Sequence, residues 1–288
     1  MTNQQTNQIQ QQDKIGISAI KKMLNSESVQ KQFNDMLGKK SAGFITSVLS
    51  VCQNNELLAK AEAKSVVLAA ASAAALDLPI NPNLGYAAIV PYFDRKKNLN
   101  LGTFQLQRNG WVELCMRTGQ VVRMANEPVY DGELVSHNRF TDEYIFDESK
   151  RTSDTIIGYM AYAKLTNGFE KTVYWSVDKC KEHGLRYSQT FKKGYGLWVD
   201  NFSAMALKSV LKHLIVKYLP KSIELNMAIE RDNATMEGEL DNMKPRYYDN
   251  PTSDEETVVE FEEAEVVEEV EEQNEKQAPA ENGELGFA

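Results

Sequence analysis

Apolar residues recur at helical spacing as far as Leu76 and at a spacing of two from Tyr86 onward, and Pro79 and Pro82 stand between the two regimes. A chain that changes period in this way keeps its early helices apart from an antiparallel sheet, so the fold class predicted is α+β. Ile17, Ile20, Leu24, Phe33, Met36 and Leu37 mark a helical stretch over 17–38, which Gly38 ends. A second helix is predicted over 41–52 and a third over 61–76, where eight alanines give high propensity and a thin, close-packing surface. From Gly85, residues 86–93 and 99–107 read as a β-hairpin with Arg95, Lys96 and Lys97 at its tip. A short helix over 111–118 is closed by Gly119. Strands follow at 120–130, 133–138, 143–147, 155–165 and 169–175, the last two joined at Asn167-Gly168, a strong hairpin signal. Ser176 is placed to cap a helix over 177–183. A loop over 184–196 leads to a long helix over 197–219, ended by Pro220. That helix carries Phe202, Met205, Val210, Leu211, Leu214, Ile215 and Tyr218 all round its wheel, so it must pack on more than one face. The organisation expected is a disordered, Gln-rich N-terminus over 1–13, a helical region over 14–84, a sheet-plus-helix core over 85–225, and a linker with an acidic disordered tail over 226–288.

Charge is distributed as unevenly as period. Residues 254–288 hold 14 Asp/Glu against one Lys, so the net charge of −9 conceals a body of 31 basic and 27 acidic side chains. Between Lys179 and Lys221 nine Lys/Arg face only Glu182 and Asp200, and Tyr187, Phe191, Tyr195 and Trp198 lie among them. Cations neutralise phosphates and aromatic faces stack on bases, so this segment has the composition of a polyanion site. Lys208 and Lys212, one helical turn apart, form a narrow cationic stripe on a helix otherwise apolar, as the floor of a groove would.

Other chemistry is poorly represented. Cys52, Cys115 and Cys180 are odd in number, far apart and lack CxxC spacing, which argues against a disulfide framework and a zinc site. The polar N-terminus and the lack of any apolar run near 18 residues predict a soluble protein of a reducing cytoplasm, with no membrane partner. His137, His183 and His213 sit in unrelated contexts, no GxxxxGK[ST] or HExxH occurs, and Gly194-Tyr195-Gly196 is a lone GxG without a preceding strand. No cofactor is expected. Asp131, Glu133, Asp142, Glu143, Asp147 and Glu148 could supply a metal-dependent nuclease, or serve only as solvated strand edges and turns.

The order of motifs over about residues 40–220 resembles the RecT family of phage single-strand annealing recombinases. The resemblance is carried by Leu76-Asp77-Leu78-Pro79, the segment from Gly85 to Tyr92, the stretch from Phe104 to Leu114, Gly158-Tyr159-Met160-Ala161-Tyr162-Ala163, Trp198, and the run from Met205 to Lys212. The chain reads Gln107-Arg108-Asn109-Gly110 where the family commonly has Gly-Tyr-Arg/Lys-Gly, and Lys208-Ser209 where it has Lys-Thr. The resemblance implies an ATP-independent protein that coats single-stranded DNA, pairs it with a complementary strand and assembles into homo-oligomeric rings or helical filaments. A single-strand DNA-binding or replication-accessory protein that does not anneal is the alternative.

Annealing requires only that phosphates be held along one side of a strand while base edges stay free. Lys208, Lys212, Lys192, Lys193, Arg186 and Arg108 are therefore assigned to phosphates, and Trp111 and Tyr187 to base or sugar packing. Lys96 and Lys97 on the hairpin tip and Gln107, Asn109 and Arg117 beside Arg108 complete the candidate set. The hairpin itself is expected to space strands or contact a neighbouring subunit. In the acidic tail, Leu285 and Phe287 are candidates to dock a partner such as the host single-strand-binding protein.

Overall fold

The computed structural model describes residues 14–247, so the expectations for 1–13 and for the acidic tail, Leu285 and Phe287 included, lie outside the described residues. The N-terminal helices are α1 (Ile17–Leu24), α2 (Glu27–Leu37), α3 (Ser41–Gln53), the single turn α4 (Glu56–Ala59) and α5 (Ala63–Ala75). The helical stretch over 17–38 is thus two helices, interrupted at Asn25 and Ser26, where Ser26 turns to an extended backbone and Glu27 opens α2. Almost every residue of α5 is buried, and its alanines let other elements come close. A Cβ at Gly102 would lie 2.8 Å from the Cα of Val66, so only glycine lets the following hairpin approach α5 so closely.

That hairpin pairs β1 (Ala87–Asp94) with β2 (Leu99–Leu106), Ala87 opposite Leu106. Then come α6 (Arg108–Arg117), β3 (Val121–Tyr130), β4 (Leu134–Asn138), β5 (Glu143–Phe146), β6 (Ile156–Leu165) and β7 (Glu170–Ser176). Strands β3, β6 and β7 form an antiparallel sheet with β6 in the middle, and β4–β5 is a separate two-stranded ribbon inserted in the β3–β6 connection. Ser176 accepts a hydrogen bond from the Lys179 amide and caps α7 (Val177–Tyr187). Short helices α8 (Gln189–Lys192) and α9 (Leu197–Asp200) precede α10 (Phe202–Tyr218). The loop expected over 184–196 is therefore largely helical, and the long helix expected from Leu197 is broken at Asn201, whose φ of −143° leaves the helical region. Helix α10 packs on all three sheet strands and on α6, burying Ala206, Val210, Leu211, Leu214 and Ile215, which accounts for its apolar circumference.

The chain does not become a linker at 226. Ser222 caps α11 (Ile223–Arg231), and β8 (Thr235–Glu239) pairs with β9 (Asn242–Arg246) in a ribbon that packs on α5 and β2. One apolar core runs from Ile20 in α1 to Ala228 in α11, so the helical and sheet regions share it. The three thiols are separate and buried, and burial pushes Cys52 up to about 11 and Cys115 and Cys180 up to about 12. No helix among the described residues is long and apolar enough to cross a membrane.

Candidate nucleic-acid interface

The cations named from sequence divide into three groups. The first lies where α6, α10 and the turn after α11 meet. Asp232, its side chain fully buried, accepts from the Leu106 amide at 2.8 Å through one carboxylate oxygen. The other oxygen takes the Lys212 ammonium at 2.8 Å and the Asn233 amide group at 3.0 Å. Lys212 is therefore not the free stripe lysine expected: its charge is matched by the buried Asp232 carboxylate. Lys208, one turn earlier, has no carboxylate of its own among the described residues. Burial, with Lys212 adding and Asp232 opposing, pushes its ammonium down to about 8.

Trp111 corrects a second expectation. It is fully buried, with the Lys212 ammonium 5.5 Å from its ring centre, so it belongs to the core and offers no face to a base. Its neighbours on α6 serve the fold too. Arg108 donates to the side-chain and backbone oxygens of Asn126 at 2.9 and 3.0 Å. Asn126 in turn donates to Met160 O and Leu207 O, tying α6, the sheet and α10 together. Asn109 donates to Leu84 O, and Gln107 to the side chain of Gln105. Arg117 pairs with Glu113 and caps the end of α5 through Leu76 O and Asp77 O. Of these residues Arg108, Asn109 and Arg117 remain exposed, but each is engaged.

The hairpin tip is the second group. Asp94, 3% exposed, accepts from the amides of Lys96 and Lys97 and fixes the turn. Lys97 reaches Glu237 at 3.4 Å, and Glu237 also holds Arg246 at 2.8 Å, so the tip is fastened to the β8–β9 ribbon. Lys96 stays exposed with no ion pair among the described residues.

The third group gathers charge of one sign. His183 on α7 is pushed down to about 4, first by burial and then by Lys212, His213, Arg186 and Lys179 around it. The ring centres of His183 and His213 lie 5.0 and 5.1 Å from that of Trp175, and the Lys179 ammonium sits 5.3 Å from the same indole. Tyr187 continues the row 4.7 Å from His183 and is 42% exposed, with Arg186 beside it at 5.5 Å. Lys192 and Lys193, at the end of α8, are exposed and have no acidic partner among the described residues. The four aromatics of the basic segment separate here. Phe191 and Trp198 stack at 5.7 Å and pack on Phe202, whereas Tyr187 and Tyr195 face solvent.

His183 and His213, which the sequence places in unrelated contexts, meet on the Trp175 ring, while Trp175, Asn126 and Asp232 are not among the residues the sequence singles out. Residues 179, 183 and 186 share one face of α7 at helical spacing, a signal that was readable; the pairing of Lys212 with Asp232, in different elements, was not. Four of the six carboxylates named for a nuclease are engaged within the fold. Asp131 accepts from Thr152, Glu133 from the Tyr130 amide and Asp147 from Ser149, while Asp142 pairs with Lys171 and His137.

An α+β body bearing an aromatic floor beside the exposed Lys179, Lys192 and Lys193 has the composition of a polyanion-binding protein, with its large aromatics mostly supporting the floor and its charges at the rim. Residues 42–247 match the RecT family model, and over 220 residues the chain is 40% identical to the uncharacterised protein YqaK of Bacillus subtilis (strain 168), covering 76% of this chain and 74% of that protein. The chain belongs to the RecT family, and is a DNA-binding protein of single-strand annealing recombination. The match runs on through α11 and the β8–β9 ribbon, beyond the segment in which the resemblance was legible.

Proposed function

We propose that this protein anneals complementary strands without ATP by laying the phosphates of single-stranded DNA along the cationic face of α7, α8 and α10, in a homo-oligomer that repeats the grip along the strand. The observation that carries this reading is the row of Lys179, Trp175, His183 and Tyr187 beside the exposed Lys192 and Lys193, three lysines with no ion pair among the described residues. A like-charged cluster over a stiff aromatic floor is repulsive until an anion arrives, so a phosphate is the group it favours. Arg186, Lys179, Lys192 and Lys193 are the direct phosphate contacts in this scheme. Lys208 and Lys212 contribute from below, Lys212 being held in place by Asp232. Tyr187 and Tyr195 are the exposed rings available to a base or sugar. Arg108, Asn109, Gln107 and Arg117 position the elements that carry the face, and Lys96 and Lys97 extend the positive surface along the hairpin.

No cofactor takes part, because release of counterions on binding and the stability of the product duplex supply the free energy. The acidic tail, with Leu285 and Phe287 near its end, is assigned to protein partners such as the host single-strand-binding protein, and the setting is the host cytoplasm. Two complementary oligonucleotides added one after the other to the protein, without nucleotide, should pair faster than they do alone. Acceleration that required ATP, or binding of each strand without acceleration, would return the protein to the non-annealing reading.

A further inference from the structure

The β4–β5 ribbon ends in a turn that holds an aromatic ring out into solvent. Asn138 accepts from the amides of Phe140 and Thr141, which fixes the turn, and Phe140 is 89% exposed with the Arg139 guanidinium 5.2 Å from its ring. Behind the tip, Tyr144 and Phe146 pack against Tyr174, so the ribbon is anchored to β7 at its base. Val135 and Ile145 are also exposed. An ordered aromatic with an arginine beside it is the composition of an interface anchor. DNA is a poor occupant, because residues 131–148 hold six carboxylates and a single arginine.

The complementary feature lies earlier in the chain, where α5 ends. A pocket of about 290 Å³ is walled by Leu37, Phe44, Leu78, Pro79 and Ile80, with Asp77 on its rim. A cavity of roughly 150 Å³ accepts a benzene ring, so this one has room for a phenyl side chain. Among the described residues Asp77 is paired with Lys40 alone, across a surface where both side chains are more than half exposed, and such a pair exchanges partners at little cost. Lys39 and Lys40 make the ground beside the pocket positive, opposite in sign to the ribbon.

We infer that Phe140 of one copy enters the Asp77-rimmed pocket of the next copy, with Arg139 meeting Asp77 and the acidic ribbon lying along Lys39 and Lys40. Knob and pocket are different surfaces of the same chain, so the contact is head-to-tail and propagates into a ring or an open helix according to the rotation it imposes. The inference rests on the oligomer of the proposed function and names the surface that builds it.

The test uses the full chain carrying Phe140→Asp, which removes the knob, or Ser47→Trp, which fills the pocket from its rim, with mass measured by light scattering on protein alone and on long single strands. Each variant should stay monomeric where the wild type assembles, and each should keep wild-type affinity, within about twofold, for an oligonucleotide too short to hold two subunits. Mixed together they should form one-to-one dimers and nothing longer, because one intact knob and one intact pocket remain. Assembly of Phe140→Asp to wild-type size would overturn the contact while leaving the oligomer standing. Assembly of Ser47→Trp alone would place the receptor elsewhere and overturn the pairing. A wild type that never assembles on DNA would remove both the contact and the oligomer it rests on.

Discussion

Lys208 carries a conflict between stability and binding. Its ammonium is pushed down to about 8 from an ordinary value of 10.5, so below pH 8 the folded protein keeps a half-buried charge that the unfolded chain would keep in water. Between pH 8 and 10.5 the folded form has shed that proton and the unfolded form has not, so this lysine's penalty fades as pH rises. Lys208→Met should therefore stabilise the protein at neutral pH, by about 1–3 kcal/mol, as read from the urea midpoint. A nearby phosphate favours the charged amine, so single-strand affinity should fall as pH rises through about 8, and the Met variant should bind more weakly and lose that pH dependence. A pH-independent affinity in the wild type would mean that Lys208 never meets a phosphate. Lys212 behaves in the opposite way. Lys212→Ala strands a fully buried carboxylate and should cost about 2–4 kcal/mol of stability, so its effect on DNA binding has to be read beside a melting curve.

Among the elements, α8 offers the cleaner test of phosphate contact, because Lys192 and Lys193 support nothing in the core. Replacing both by Ala should leave the melting temperature unchanged and flatten the slope of log K against log salt by roughly 0.7 per lost contact on single strands. An unchanged slope would make them ordinary solvated lysines. The elements were legible where local signals were strong. Alternation and the Asn167-Gly168 turn gave β6–β7, the prolines closed α5's segment, and Ser176 opened α7 where it was expected. They were illegible where tertiary contact overrides composition. Thr235 to Arg246 reads as polar chain, and becomes a ribbon only because α5 and β2 lie beneath it. Asp200-Asn201 is a weak N-cap signal inside a largely apolar run, and the chain bends there, with Trp198 stacked on Phe191 and edge-on to Phe202. The candidate site was legible as a charged segment but not as a surface, since a list of lysines does not say which of them faces a carboxylate.

For the whole molecule, the shared core and the Asp232 anchor set where the chain can be shortened. Ending it after residue 225 removes Asp232 and the ribbon over α5 and β2, and should leave a protein that does not fold cooperatively. Ending it after residue 250 should leave melting and the annealing of naked strands unchanged. If the tail serves a protein partner, the shorter chain should fail only on strands precoated with the host single-strand-binding protein; equal loss on naked strands would assign the tail to pairing itself. The buried thiols carry a consequence of another kind. With ionisation at about 11 to 12, roughly one thiol in ten thousand or fewer is a thiolate at pH 7, and none of the three is open to a reagent. Peroxide at doses that inactivate thiol enzymes should therefore leave the annealing rate unchanged, which a treated and an untreated sample measured side by side would check.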